Sequence, residues 1–299
     1  MINTRELTKR FGGFTALDGL ITGFTRGTIY GLVGANGSGK STFLRLIAGV
    51  YYADGGSVSI DEQVVYDNPE AKSKVFFVSD DLYFLPGASL DDMAAFYGLI
   101  YPRWDKGLYY RLCTLFPIPK DKKINTFSKG MKRQAALILA LSARTDCLLL
   151  DEAFDGLDPV VRFSVRKIIA DQIAENNLLV IISSHNLREL EDFCDAIGLL
   201  HQGRMLMEFS MDNMKSSFVK VQAAFNLVLP DLELPGIRIV SQSRTGGIVN
   251  LICQAGEEEV VAAIQAMNPA FVEAIPLTLE EVFVYEMEAA GYNYAKVLF

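Results

Sequence analysis

Short, continuous runs of apolar residues recur along the first two thirds of the chain, separated by segments with helical spacing. Three such runs are Ile29–Val33, Cys147–Leu150 and Leu178–Ile182. Runs of this length are typical of strands buried on both faces of a mostly parallel sheet. Between two of them, Asp158 precedes Pro159 as a helix N-cap precedes a first-turn proline. The alternation of strands and helices predicts an α/β fold for residues 1–215.

Two stretches depart from this alternation. Residues 82–145 have a helical pattern rich in aromatic side chains, which predicts a helical subdomain inserted between two strands of the sheet. From residue 216 to 299, strand-like segments are followed by amphipathic helical ones, and Thr245-Gly246-Gly247 is a hairpin-turn sequence. These residues predict a small C-terminal accessory α+β domain.

Composition narrows the function classes. Of the 299 residues, 50% are hydrophobic and 21% are charged, which excludes a disordered chain. A net charge of -8 argues against a nucleic-acid partner. No apolar run approaches the ~20 residues of a membrane span, no secretory signal is visible, and four scattered cysteines support neither a disulfide framework nor a zinc site. A soluble protein of the reducing cytoplasm is the expectation.

A phosphate-binding loop is the clearest motif. Gly34–Ser41 fits G-x-x-x-x-G-K-[ST] and lies between the apolar run Ile29–Val33 and a predicted helix. Glycines allow backbone amides to surround phosphate oxygens, the lysine supplies a full positive charge and the serine hydroxyl suits Mg²⁺. The candidate phosphate-binding residues are Gly34, Asn36, Gly37, Ser38, Gly39, Lys40, Ser41 and Thr42.

Acidic partners follow a second apolar run. Asp151 ends the strand that begins at Cys147, and Glu152 comes next. Adjacent carboxylates there can divide the work of phosphoryl transfer, Asp151 holding Mg²⁺ and Glu152 the attacking water. A helix-capping pair is the alternative. His185 follows the third run, where either a catalytic role beside the γ-phosphate or a structural role is possible.

Six motifs in a consistent order resemble the nucleotide-binding subunit of ABC transporters over residues 1 to about 215. Besides the phosphate loop and the Asp151-Glu152 pair, they are Arg10–Gly13 (aromatic A-loop), Phe127–Met131 (signature segment), Phe154–Pro159 (D-loop) and Ser184-His185 (switch histidine). The resemblance implies ATP and Mg²⁺ as cofactors. It also implies a P-loop NTPase fold with a mostly parallel central sheet.

The resemblance assigns roles residue by residue. Phe11 would stack on the base, with Phe14 a weaker candidate. Glu152 would be the general base or water-orienting group, and His185 would contact the γ-phosphate. The signature residues Ser128, Lys129 and Gly130, together with Asp158 of the D-loop, would meet the nucleotide held by the opposite subunit. Two subunits would thus close around two ATP molecules and reopen after hydrolysis.

Two departures from the family pattern stand out. The signature segment has Lys129 and Met131 where glycine and glutamine are usual, and Lys129 either adds positive charge near phosphate or is simply solvated. The Q-loop has Asp80 where a glutamine is usual. A carboxylate can still meet Mg²⁺, so the expected metal residues are Ser41, Asp80 and Asp151.

The resemblance implies an ATPase that powers an ABC membrane transporter, an exporter such as the antibiotic-efflux type. Its partners would be integral membrane subunits and a second ATPase subunit, identical or different, at the inner face of the cell membrane. One alternative is a soluble ABC ATPase acting on ribosomes or DNA, but the chain shows neither tandem cassettes nor zinc cysteines. Another, a P-loop kinase or GTPase, leaves Phe127–Met131 unexplained. The aromatic side chains of the insertion could line a groove for a membrane subunit or form subdomain core.

Overall fold

The computed structural model describes residues 2–191, 193–213, 218–225, 232–275 and 277–289. Contacts divide the chain into two compact units, Met1–His185 with Phe193–Glu208, and Asn186–Asp192 with Phe209–Phe299. This division falls at residue 208 rather than at the expected boundary of 215. It also gives the second unit a short earlier segment, because that segment makes its contacts there.

The first unit contains two sheets and six α-helices among the described residues. Its strands are β1 (Ile2–Phe11), β2 (Phe14–Leu20), β3 (Gly23–Phe24), β4 (Ile29–Val33), β5 (Gly55–Ile60), β6 (Gln63–Val64), β7 (Val75–Val78), β8 (Cys147–Asp151), β9 (Leu179–Ser184), β10 (Ala196–His201) and β11 (Arg204–Ser210), which ends in the second unit. Its helices are α1 (Lys40–Ile47), α2 (Pro69–Ser73), α3 (Leu90–Ile100), α4 (Lys106–Leu115), α5 (Lys129–Ser142) and α6 (Pro159–Asn176).

The central sheet has six strands in the order β11-β10-β4-β9-β8-β7, and the neighbouring pairs from β10 to β7 are parallel. Strands β4, β8 and β9 are buried along their whole length. This confirms the predicted α/β class with a mostly parallel sheet. Because parallel strands end at the same edge, the segments that follow these three strands come together. Val33 is paired with Ser184, and Asp151 with Ser183, at that edge.

An antiparallel sheet, absent from the sequence-based expectation, contains β2, β1, β5 and β6 in that order, with β3 also paired to β1. Its strands are half-exposed and mix polar with apolar residues, so no continuous apolar run marks them. In β1, for example, Thr4 and Lys9 are buried beside Ile2 and Leu7. The buried side chains of this sheet share a core with α1 and the central sheet.

Helices α3, α4 and α5 lie between β7 and β8 and have side-chain caps. Ser89 and Asp92 form a capping box at α3, and the Asp105 carboxylate accepts a hydrogen bond at the start of α4. Ser128 caps α5, its hydroxyl accepting from the Met131 amide at 3.3 Å. Every residue of α5 from Ala135 to Ser142 is buried, and the helix packs against α4 and β7.

The second unit comprises α7 (Leu187–Glu191), β12 (Val219–Ala224), β13 (Arg238–Thr245), β14 (Ile248–Gln254), α8 (Glu257–Gln265), β15 (Phe271–Ile275) and α9 (Leu279–Ala289). Its antiparallel sheet has the order β13-β14-β12-β15. A core of Val221, Leu251, Val260 and Ile264 lies between this sheet and α8. The turn between β13 and β14 falls at the predicted Gly246-Gly247. Nowhere in the described ranges is a helix both long and apolar enough to span a membrane.

Candidate functional site

The loop from β4 to α1 depends on glycine geometry. Gly39 precedes the helix with φ +112°, a conformation that L side chains rarely adopt. A Cβ there would lie 2.6 Å from the Ala16 carbonyl oxygen, and a Cβ on Gly34 would lie 2.2 Å from that of Leu200. The backbone of the loop therefore takes a path open only to glycine at these two positions.

Lys40 extends back along this loop. Its side chain is buried, and Nζ donates to the carbonyl oxygens of Gly34 at 2.5 Å and Ala35 at 3.2 Å. Burial lowers the pKa of Lys40, while the carboxylates of Glu152 and Asp151 act in the opposite direction. The ammonium group is thus held at the loop, close to two acids, where it can meet an anion.

Asp151, the last residue of β8, is fully buried. Its Oδ1 accepts hydrogen bonds from the hydroxyls of Ser41 at 3.1 Å and Ser183 at 2.6 Å. Its buried Oδ2 has no hydrogen-bond partner within the described parts of the chain. A buried carboxylate oxygen without a partner is costly. This oxygen beside the Ser41 hydroxyl fits a hard divalent cation such as Mg²⁺.

Glu152 and His185 form a hydrogen-bonded pair. Nδ1 of His185 lies 2.7 Å from Oε2 of Glu152, and the Glu152 amide donates to the Ser183 carbonyl at 3.3 Å and hydroxyl at 3.2 Å. Burial raises the pKa of Glu152, and the hydrogen bond to His185 partly offsets that effect. A carboxylate with a raised pKa that is oriented by an imidazole is suited to accept a proton.

Lys40, Ser41, Glu152 and His185 line a cavity of about 420 Å³ at the edge of the central sheet, and Asp151 lies behind Ser41 rather than in the lining. Most residues of the predicted phosphate loop line this cavity. The lining residues are Phe14, Ala16, Asn36, Gly37, Gly39, Lys40, Ser41, Thr42, Asp80, Glu152, Asp155 and His185. Gly34 and Ser38 belong to the same loop but do not line the cavity. Asp155, for which no role was predicted, has a carboxylate oxygen within 4.8 Å of a Glu152 carboxylate oxygen and a His185 ring nitrogen.

The aromatic residue that lines this cavity is Phe14. The stacking role expected of Phe11 stays a prediction. Phe14 is 60% exposed and lines the cavity. Phe11 is not among the lining residues; its ring contacts Tyr51 edge-on, with 5.5 Å between centroids, and Lys9 Nζ lies 5.3 Å from its centroid. The two phenylalanines are only three residues apart, at the facing ends of β1 and β2, so the fold rather than the motif separates them.

Asp80 lies at the cavity but is already paired. Its Oδ1 accepts from Nη2 of Arg133 at 2.8 Å, and Nη1 of the same guanidinium donates to the main-chain carbonyl of Glu152. Arg133 belongs to α5 and is 2% exposed. Its local sequence assigns Arg133 no role, and the one visible signal is a charged side chain at the start of the apolar stretch of α5.

The signature residues Ser128, Lys129 and Gly130 do not line this cavity. Of the D-loop, Asp155 lines it and Asp158 does not. Ser128 and Lys129 are exposed, and Gly130 lies where an added Cβ would be 3.2 Å from the Gly156 carbonyl oxygen. The Asp158 carboxylate caps α6, accepting from the amides of Val160 and Val161 at 3.0 Å each. The structure therefore brings the loop, Asp151, Glu152 and His185 together and leaves the signature segment elsewhere on the surface.

A glycine loop at a helix N-terminus, a buried lysine and a strand-end aspartate define a P-loop protein that binds nucleoside triphosphate phosphates. A family model described as ABC transporter matches residues 17–155. The chain is 30% identical over 288 residues to the ABC transporter ATP-binding protein YtrB of Bacillus subtilis, covering 95% of this chain and 97% of that protein. The chain belongs to the ATP-binding proteins of ABC transporters.

Two further comparisons agree with this family. The bacitracin transport ATP-binding protein BcrA of Bacillus licheniformis is 29% identical over 221 residues, which is 72% of this chain and 71% of that protein. The dimeric post-hydrolysis structure of the ATP-binding cassette MJ0796, bound to ADP and Pi, shares the fold with a TM-score of 0.63 at 21% identity, over 71% of this chain and 99% of that one. The predictions of an ATPase and of a subunit that powers an ABC transporter are confirmed. Cassettes of this family form dimers and work with membrane subunits.

Proposed function

We propose that this chain hydrolyses Mg²⁺-ATP to drive export across a membrane, through closure of two subunits around two nucleotides. The proposal rests on the separation of the signature residues from the cavity that the phosphate loop lines. Lys40, Glu152 and His185 converge on one cavity, while Ser128 and Lys129 are exposed outside it. A signature segment separated from its own phosphate loop can act only on a nucleotide bound by another subunit.

Within the cavity, Gly34 to Thr42 surround the phosphates, and Ser41 and Asp151 hold Mg²⁺. The metal, when bound, neutralises charge on the phosphate oxygens. Glu152 accepts a proton from the attacking water or orients it, aided by the raised pKa that burial causes. His185 orients Glu152 through their hydrogen bond and contacts the γ-phosphate. Phe14 stacks on the adenine base.

Across the dimer, Ser128, Lys129 and Gly130 of one subunit approach the γ-phosphate bound by the other. The N-terminus of α5 then points its free amides and positive dipole end at the anion. Asp158 rigidifies the D-loop by capping α6 next to this contact. The chain carries both halves of the composite site, so two identical copies suffice to form two sites.

Export is supported by the relatives. BcrA of Bacillus licheniformis is described as a bacitracin transport protein, and the linearmycin resistance protein LnrL of Bacillus subtilis is 30% identical over 213 residues. We infer that this chain likewise serves an efflux transporter and lies at the cytoplasmic face of the membrane through its membrane subunits. Its net charge of -8 gives no basis for a nucleic-acid partner.

The test uses Glu152→Gln, which removes the proton acceptor and keeps the side-chain shape. With ATP and Mg²⁺ we expect a stable dimer in light scattering, and turnover lowered by about 100- to 1,000-fold, or about 3 to 4 kcal/mol of barrier. Adding Ser128→Ala to this variant should return it to a monomer. Glu175→Gln, far from the cavity on α6, is the matched control. A monomer at saturating ATP, or undiminished hydrolysis, would refute the proposal.

A further inference from the structure

A buried guanidinium connects the signature helix to two groups at the catalytic edge. Arg133, in the second turn of α5, is 2% exposed. One terminal nitrogen donates to the Asp80 carboxylate at 2.8 Å and the other to the main-chain carbonyl of Glu152. Asp80 stands where the family resemblance leads one to expect a glutamine. The residue that replaces the family's glutamine, Asp80, is therefore the partner of Arg133.

We propose that Arg133 is a positioning residue for hydrolysis, which fixes the backbone of Glu152, and that Asp80 acts by holding Arg133 rather than by ligating Mg²⁺. The proposal rests on the role given to Glu152 above. It differs from the expectation that Asp80 belongs to the metal site.

The backbone of Glu152 needs such support. Its φ is +50°, in the left-handed region that non-glycine residues enter at a cost. Its amide is held by the Ser183 carbonyl and hydroxyl from β9, and its carbonyl is held by Arg133 from α5. Both sides of the peptide backbone are thus bonded, which sets the direction of the side chain toward His185.

A guanidinium is the group that can make this connection. It is planar, always charged, and presents two terminal nitrogens to two acceptors at a fixed separation. A lysine at the same place would offer one point charge. Because Arg133 is buried, its charge needs a compensating carboxylate, and Asp80 is the one to which the described chain pairs it.

Asp80 and Asp151 differ in whether a carboxylate oxygen is available to ligate a metal. Asp151 has a buried oxygen without a hydrogen-bond partner in the described chain, next to the Ser41 hydroxyl. Asp80 has its Oδ1 engaged by Arg133. If Asp80 turned to a metal, the buried guanidinium would lose its compensating charge. The geometry therefore favours Asp151 for Mg²⁺ and Asp80 for Arg133.

The experiment compares Asp80→Asn, Arg133→Gln and the double variant in the full-length chain. We expect each single change to lower kcat by about tenfold through misplacement of Glu152, with KM for ATP within about twofold. The Mg²⁺ concentration for half-maximal activity, and Mn²⁺ affinity measured by electron paramagnetic resonance, should stay unchanged. The double variant should be no slower than the slower single, since the pair acts as a unit.

Two exposed residues provide matched controls, Asp81→Asn on the same loop and Arg111→Gln in the helical insertion, and both should keep wild-type kinetics. A tenfold rise in the Mg²⁺ requirement of Asp80→Asn would overturn the proposal, as would multiplicative losses in the double variant. If Arg133→Gln does not fold, the kcat and Mg²⁺ dependence of Asp80→Asn decide alone. Glu152→Gln, measured in parallel, separates a failure of the proposed base from a failure of this link.

Discussion

Two helix N-termini in the first unit, those of α1 and α5, carry similar local chemistry and have different surroundings. The helix α1 follows Gly37-Ser38-Gly39, whereas α5 follows Ser128 and has Gly130 as its second residue. Each helix places a lysine in its first turn, Lys40 or Lys129. Lys40 is buried beside the cavity with Asp151 and Glu152 nearby. Lys129 is exposed, and it does not line that cavity.

The difference shows that a helix N-terminus by itself is only half of a phosphate site. At α1, the order of strands β4, β9 and β8 brings an acid pair and a histidine to the same edge. At α5, the segment before the helix comes from the inserted subdomain, and its residues Ser128 and Lys129 do not line the cavity. Under the proposed function, the first region binds nucleotide by itself, and the second acts on a nucleotide held by another subunit.

The largest expected effect comes from removing each lysine in turn. Lys40→Ala should weaken ATP binding to the isolated protein by about 100-fold, or about 2.7 kcal/mol, because a charge-assisted phosphate contact is lost. Lys129→Ala should leave that affinity within about twofold. Titration calorimetry with the single subunit measures both. Equal losses of ATP affinity in the two variants would contradict the distinction between the regions. Melting temperatures of both variants show whether they are folded.

A smaller difference is expected between the glycines of the two regions, in the free energy of unfolding after substitution by alanine. Gly39→Ala should lower the free energy of unfolding by about 2 kcal/mol, because its φ of +112° and the nearby Ala16 carbonyl exclude a Cβ. Gly130→Ala should change it by less than about 1 kcal/mol, since Gly130 is helical and alanine favours helices. Urea denaturation is the measurement. An unaffected Gly39→Ala protein would contradict the strained path of the loop.

The smallest expected effect concerns stacking on the adenine base, and it tests the α1 region only. Phe14→Ala should raise the dissociation constant for ATP by about tenfold through loss of ring stacking. Phe11→Ala should alter it little, because that ring contacts Tyr51 away from the cavity. Competition between ATP and a fluorescent nucleotide analogue measures the pair. A larger loss in Phe11→Ala than in Phe14→Ala would assign the stacking role to Phe11, as the family resemblance implies.

The sequence by itself determined three strands of the six-stranded central sheet, and the motifs that directly follow them in the chain. Strands β4, β8 and β9 are marked by continuous apolar runs, and Gly34–Ser41 and Asp151-Glu152 adjoin them directly. In such cases a local pattern specifies both the element and the residue at its end. The relation of these residues in space then follows from the parallel order of buried strands.

Only the tertiary structure decided which side chains meet when the chain separation is large or the pattern is mixed. Phe14 rather than Phe11 lines the cavity, although the two residues are paired directly across β1 and β2, and the Phe11 ring contacts Tyr51. Arg133 meets Asp80 across 53 residues of sequence. The antiparallel sheet of β1, β2 and β5 lacks a continuous apolar run, so its pairing depends on packing against α1. Contacts of this kind depend on the whole fold, and no local pattern specifies them.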